Sequence, residues 1–252
     1  MNYLVSVIVP NFNGEKFIRQ TLDSVIAQVG VEFEVIVVDD GSKDSSVSIV
    51  EEYVRRDKRI TLLRSEGNQG AARSRNLAIE RSKGRFLAFV DSDDLWGPQK
   101  LQVQIDAMAK AAAALSCTAV HVIDASGVRV GERRVPAAID YGTLLRRTPI
   151  VTSSVVLDTS KVGRLSMPEI RRRQDLAMWL KVIRQSGPAV GIDQILGSYR
   201  VHENSLSRNK RVSALYTWKV IRDVERLPLH KALYYFSFYA IGGVMGRLRG
   251  LN

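Results

Sequence analysis

Short apolar runs that stop on polar clusters alternate, over the first hundred residues, with segments whose apolar positions recur every three or four residues. Residues 4–9, Leu4-Val5-Ser6-Val7-Ile8-Val9, form a β-rich run that stops at Pro10 and enters a loop at Asn11, Phe12, Asn13 and Gly14. Phe17, Ile18, Leu22, Val25 and Ile26 then share one face of a helix over residues 16–27. Residues 34–38 are apolar on both faces, as a parallel strand covered by helices requires, and end on Asp39, Asp40, Gly41 and Ser42. The same alternation predicts a helix over 45–54, a strand over 60–63, a helix over 71–81 and a strand over 86–90. That last strand ends on Asp91-Ser92-Asp93-Asp94, and a helix starts near Pro98. Such repeated strand–helix alternation predicts an α/β fold with a Rossmann-like, mostly parallel twisted sheet flanked by helices. Ligands of such sheets bind beyond the carboxyl ends of the strands, where the first, second and fourth runs place polar clusters.

Beyond residue 115 the pattern loosens. Residues 118–123 and 128–130, joined by Asp124, Ala125, Ser126 and Gly127, read as a hairpin, and residues 155–157 as a short strand. Residues 173–185 read as a helix with Leu176, Trp179, Leu180 and Ile183 on one face and Gly187-Pro188 at its end. A further helix fits 213–226. Residues 233–245 are apolar and aromatic, too short to span a bilayer, and flanked by Lys231, Arg247 and Arg249. The opening Met1-Asn2-Tyr3 lacks a basic leader, so no secretory signal is expected.

Composition adds two constraints. With 45% apolar and 25% charged residues among 252, the chain has ordinary globular make-up, and its single cysteine, Cys117, allows no internal disulfide and suits a reducing compartment. The net charge of +11 asks for an anionic partner. Its placement narrows the choice: residues 1–100 carry 14 basic and 15 acidic side chains, residues 101–199 carry 13 and 8, and residues 200–252 carry 10 and 3.

Asp91 and Asp93, two places apart beyond a strand end, can be turned by the loop toward one point, and oxygen ligands suit a hard divalent cation. A lone pair of this kind also serves as a helix cap. Its neighbours here make the cap the poorer reading: an apolar strand precedes it and a second acidic strand end stands at Asp39-Asp40.

At this point the chain resembles the inverting glycosyltransferases of family 2, of the bacterial polysaccharide-biosynthesis type, whose fold is GT-A. The resemblance runs in order over roughly residues 4–205: Val7 to Asn13, Leu22-Asp23-Ser24-Val25 with Gln28, Val37 to Ser42, Asn68-Gln69-Gly70 with Arg75-Asn76, Phe89 to Asp94, Gln174-Asp175 with Trp179-Leu180, and Tyr199-Arg200-Val201-His202. It implies a GT-A domain over 1–205, with a nucleotide-sugar-binding half over 1–115 and an acceptor-binding half over 116–205, followed by a basic, aromatic helical extension over 206–252. It also implies inverting transfer of one sugar from a nucleotide-sugar, UDP-linked, to a glycan or lipid-diphosphate-linked acceptor in O-antigen, capsule or exopolysaccharide assembly. Asp175 would be the catalytic base. Gln174 departs from the family there, since it stands where a second carboxylate is common. Asp93 would be the principal ligand of Mn²⁺ or Mg²⁺, with Asp91 and His202. Pro10, Phe12, Asn13, Asp39, Arg75, Asp91 and Ser92 would bind the nucleotide-sugar, Phe12 replacing a frequent Tyr. The resemblance implies a protein in the cytoplasm, peripheral at the inner face of the membrane. The basic, aromatic make-up of the extension suits an anionic lipid surface there, or else a helix packed on the core of the domain or against a dimer partner. The resemblance sets no oligomeric state.

Two alternatives remain at this level. A phosphatase of the haloacid-dehalogenase type would use Asp91 as nucleophile, but it wants Thr or Val where Leu95 stands, and its motif opens the fold, whereas three strands come first here. A non-enzymatic nucleic-acid-binding protein would explain the charge, yet no zinc-finger spacing or aromatic RNA motif accompanies it, so no nucleic-acid partner is expected. The glycine-rich loop of dinucleotide dehydrogenases and of sugar nucleotidyltransferases is also missing after the first strand.

Overall fold

The computed structural model describes residues 4–163, 165–203 and 210–248; Arg249 and the expected boundary between residues 205 and 206 lie outside them. The strands are β1 (Leu4–Asn11), β2 (Glu32–Asp39), β3 (Ile60–Arg64), β4 (Phe86–Phe89), β5 (Leu95–Trp96), β6 (Leu115–Ile123), β7 (Arg129–Arg133), β8 (Ala138–Ile139), β9 (Val156–Asp158) and β10 (Ala189–Arg200). The helices are α1 (Ile18–Ile26), α2 (Ser46–Arg56), α3 (Ala71–Arg81), α4 (Lys100–Lys110), α5 (Tyr141–Arg147), α6 (Thr159–Val162), α7 (Gln174–Ser186), α8 (Lys210–Lys219) and α9 (Leu229–Leu248), with a π-helical turn at Val220–Val224.

The strands form one sheet in the order β3-β2-β1-β4-β9-β6-β10-β5, with β7 on β6 and β8 on β10. β1 pairs parallel with β2 and β4, and β2 parallel with β3, as the alternation requires. Beyond β4 the sheet is mixed. β9 runs antiparallel to both β4 and β6, and β6 pairs parallel with β10. Because β9 reverses direction between two co-directional groups, the carboxyl ends of β1, β2, β4, β6 and β10 and the start of β9 share one edge.

Alternate residues of each central strand feed two apolar layers. Val5, Val7 and Val9 of β1 pack with α1, α2 and α4 through Leu22, Val50 and Leu101, whereas Ile8 joins the opposite layer with Ala78 of α3 and Trp179 of α7. Both layers bury their strand residues almost completely, at roughly 1.5–3 kcal/mol per large aliphatic side chain. The helical C-terminal region adds Val220, Ile221 and Ala232 to the second layer.

Several motif residues hold this frame together. Gln28 donates to the Gly97 carbonyl at 2.7 Å and accepts from the Leu101 amide at 3.0 Å, and Ser24 accepts from the Trp96 amide at 3.1 Å, fixing the approach to α4. The buried Asp40 carboxylate accepts from the Gln69 amide at 2.9 Å and the Gly70 amide at 2.7 Å, which anchors the start of α3. Gly41 next to it has φ 77°, and a Cβ there would lie 2.9 Å from Gly67 Cα, so both conformation and space call for glycine. β10 was not legible in the sequence. Gly191, Asp193, Gln194 and Gly197 break its apolar alternation, and its pairing with β6 shifts register twice.

Candidate functional site

The shared strand edge gathers most of the expected site residues. After β1, Pro10 is half-buried, Asn13 is exposed and takes φ 50°, and the Phe12 ring stands 45% exposed. Asn11 Nδ2 donates to Asp39 Oδ1 at 2.8 Å, the Ser42 hydroxyl donates to the same oxygen at 2.5 Å, and the Ser42 amide donates to Oδ2 at 2.9 Å. Asp39 is thus fixed by its neighbours with 2% of its surface exposed, and three of about four acceptor positions are filled. Asn13 ties the two loops together: its amide donates to the Ser42 hydroxyl at 2.9 Å and its Oδ1 accepts from the Lys43 amide at 2.8 Å.

Arg75 is 5% exposed rather than standing at an open helix start. α3 begins at Ala71, which puts Arg75 one turn inside it, and its Nη2 pairs with Asp91 Oδ1. The guanidinium therefore orients a strand-end carboxylate. Asp93 meets His202 across the edge, with Oδ2 and Nε2 2.9 Å apart, and the His202 ring lies 5.2 Å from the Phe17 ring. Burial and then the charge of Asp91 hold the Asp93 carboxyl above its ordinary 3.8. Asp94 is fully buried, accepts from the Ser153 hydroxyl and from the Arg200 amide at 2.8 Å, and is pushed well above 3.8 by burial and then by the charges of Asp93 and Asp91.

Arg200, 1% exposed, braces this loop from below. Its Nε donates to the Asp93 carbonyl at 2.8 Å, Nη2 to Gln20 Oε1 at 2.8 Å, and Nη1 to the Asp124 and Ala125 carbonyls at 3.3 Å. The Ser92 carbonyl accepts from the Thr21 hydroxyl at 2.9 Å. Asp175 sits in the first turn of α7, where the helix dipole favours negative charge. Its Oδ2 accepts from the Thr152 hydroxyl at 2.9 Å.

Thr152 belongs to a 3-10 turn, Thr152–Ser154, that the sequence reading passed over. The turn is central to the site: the Ser153 hydroxyl accepts from the Asp91 amide at 3.0 Å and donates to Asp94. The only sequence signal is three hydroxyl residues directly before a short apolar run, which resembles any strand entry.

The expected metal ligands do not converge as a set of three. Asp93 and His202 meet, while Asp91 is turned to Arg75, and among the described residues no group of three His, Cys, Asp or Glu side chains is placed to hold an ion. The donor types still fit a hard divalent cation that takes further oxygens from elsewhere, and the mutual repulsion of Asp91 and Asp93 is what such an ion relieves.

A family model described as glycosyl transferase family 2 matches residues 6–167. TuaG of Bacillus subtilis, a glycosyltransferase whose name assigns it to teichuronic acid biosynthesis, is 39% identical over 97% of this chain and 98% of its own length. WfgD of Escherichia coli, named as a UDP-Glc:alpha-D-GlcNAc-diphosphoundecaprenol beta-1,3-glucosyltransferase, is 34% identical over 96% of this chain and 94% of its own length. Among solved structures, S. aureus TarS 1-349 with UDP-GlcNAc superposes with a TM-score of 0.73 at 24% identity, covering 89% of this chain and 65% of that one, a likeness of fold.

Proposed function

The chain belongs to glycosyl transferase family 2, and we propose that it transfers one sugar from a UDP-linked donor to a hydroxyl of a glycan carried on a lipid diphosphate, in bacterial polysaccharide assembly and with inversion at the anomeric carbon. One observation carries this reading: consecutive residues of the Thr152–Ser154 turn hydrogen-bond Asp175 on one side and the Asp91 to Asp94 loop on the other. A base candidate and a loop suited to a diphosphate thus stand one turn of chain apart. In this reading Asp175 takes the proton of the acceptor hydroxyl as its oxygen attacks the anomeric carbon, and the bond to the diphosphate breaks with the electron pair leaving on phosphate. Mn²⁺ or Mg²⁺ held by Asp93 with His202 and Asp91 would supply positive charge to that leaving group.

Phe12 offers its exposed ring to the nucleobase, with Pro10 and Asn13 beside it, and the remaining acceptor position of Asp39 suits an imide N–H. Ser92 stands in the diphosphate loop, and Arg75 acts through Asp91 rather than on phosphate directly. The donor and acceptor classes draw support from the name of WfgD. Neither the phosphatase nor the nucleic-acid-binding alternative gains support from the family match.

The acceptor would be met at an anionic lipid surface. No described helix is long and apolar enough to cross a membrane. α9 packs Ala232, Tyr235 and Phe236 on the core and turns Leu229, Leu233, Tyr234, Phe238 and Ile241 outward, each at least 43% exposed. Aromatic and aliphatic side chains beside exposed Lys231, in a region with 10 basic and 3 acidic residues, suit head groups of opposite charge. A second copy would bring like charges together.

The test is a thermal-shift panel of UDP-, GDP- and dTDP-sugars with Mn²⁺, followed by transfer to α-D-GlcNAc-diphosphoundecaprenol. Asp175→Asn should cut transfer about 10²–10⁴-fold while Mn²⁺-dependent donor binding by calorimetry persists. Asp93→Ala should abolish the Mn²⁺ dependence of binding. Wild-type transfer by Asp175→Asn removes it as base, and unchanged Mn²⁺ dependence in Asp93→Ala removes the metal assignment.

A further inference from the structure

We infer that Thr152 is a positioning residue for Asp175, and that the Thr152–Ser154 turn sets the separation between the acceptor-activating carboxylate and the donor-binding loop; this rests on the reading of Asp175 as base. The Thr152 hydroxyl donates to Asp175 Oδ2 at 2.9 Å, and among the described residues it is the one hydrogen bond that the carboxylate makes. An Asp side chain turns easily about its last torsion, so a single directional bond selects one orientation. Here that bond engages Oδ2 and leaves Oδ1 as the oxygen to receive a proton. Thr152 is 8% exposed, so water competes little for the hydroxyl.

The turn itself is fixed at every residue. Trp96 Nε1 donates to the Ser153 carbonyl at 2.7 Å, Gln104 Nε2 to the Ser154 carbonyl at 3.0 Å, and the Ser154 hydroxyl to the Val151 carbonyl at 2.7 Å. β9 follows immediately, and its Val156 is wholly buried between β4 and β6. The hydroxyl of Ser153, next in the chain, is committed to the Asp91 amide and to Asp94. Thr152 and Ser153 therefore face two different parts of the site from one rigid support, and a displacement there alters orientation for transfer rather than affinity for donor.

Thr152→Val keeps the shape and removes the hydroxyl. With the donor chosen by the panel and α-D-GlcNAc-diphosphoundecaprenol as acceptor, it should lower kcat about 10–100-fold with donor KM within about twofold of wild type. Thr152→Ser, which keeps the hydroxyl, should restore most of kcat. In the Asp175→Asn background Thr152→Val should cause no further loss, because the two act as a unit. If Thr152→Val unfolds, Thr152→Ala carries the same test at lower temperature. Full kcat in Thr152→Val, or a loss that Thr152→Ser does not repair, or additive losses in the double variant, overturns the inference. Wild-type kcat in Asp175→Asn instead overturns the base assignment beneath it, so the two failures are distinguishable.

Discussion

Lys100 shows how far a single residue can depart from what its sequence position suggests. At the start of a helix it reads as a solvated charge, yet it is wholly buried, with Nζ 4.0 Å above the Trp96 ring and no hydrogen-bond partner among the described residues. Burial pushes its ammonium well below the ordinary 10.5 and raises the Cys117 thiol from 9.0 to about 12. Between its lowered folded value and 10.5, Lys100 binds fewer protons folded than unfolded, so stability rises with pH across that window. The raised Cys117 value opposes this only above pH 9.0, where the unfolded thiol ionises. Lys100→Met should therefore flatten the rise of stability with pH that lies below the ordinary lysine value of 10.5, before the Cys117 thiol opposes it above 9.0. Urea unfolding at three pH values reads it, and an unchanged slope would assign the proton elsewhere. Asp39, Asp93 and Asp175 stood out as candidates in the sequence, through the family resemblance and their place at strand and helix ends. Thr152 was not, because a hydroxyl residue acquires meaning only from the carboxylate that the fold brings to it.

At the scale of elements, β10 delivers Arg200 and His202 to the same edge as the Asp91 to Asp94 loop. It can do so only by passing closely over the chain before β8. A Cβ on Gly191 would lie 1.9 Å from the Pro136 carbonyl oxygen, and that oxygen is backbone. Gly191→Ala should destabilise by about 1–3 kcal/mol, seen as a lower urea midpoint with unchanged slope. A midpoint equal to wild type would mean that the two segments separate freely. The early elements were legible because burial on both faces demands continuous apolar runs with clear ends; α3 spans Ala71–Arg81, as its periodicity predicts. β10 was hidden because strand pairing, not composition, stabilises it, and α5 because it is a short helix held by the burial of Leu144 and Leu145 in the core.

Over the whole molecule, the charge divides with the architecture. The first hundred residues, which supply β1 to β4 and their carboxylates, are balanced at 14 basic and 15 acidic, whereas residues 200–252 carry 10 and 3. The outward face of α9 lies in that basic region. Leu233→Ser with Tyr234→Ser and Phe238→Ser should lower co-flotation with phosphatidylglycerol vesicles about tenfold at unchanged melting temperature, since all three side chains are exposed. Salt of about 0.5 M should weaken flotation of the unaltered chain as well. Equal flotation of variant and parent rejects the lipid surface. Shortening the chain at Glu225 would be a poor test, because it removes Ala232, Tyr235 and Phe236 from the core.

Sequence alone determined the strand–helix order of the first hundred residues, the polar strand ends and the family, because hydrophobic periodicity and short motifs are local properties of the chain. Tertiary structure decided which partner each carboxylate takes: that Arg75 serves Asp91, that Asp93 meets His202 without Asp91, and that one hydroxyl turn joins Asp175 to the Asp91 to Asp94 loop of the candidate site. Those facts depend on contacts between residues as far apart as Asp93 and His202, which exist only once β9 has reversed the sheet and brought its two halves to one edge.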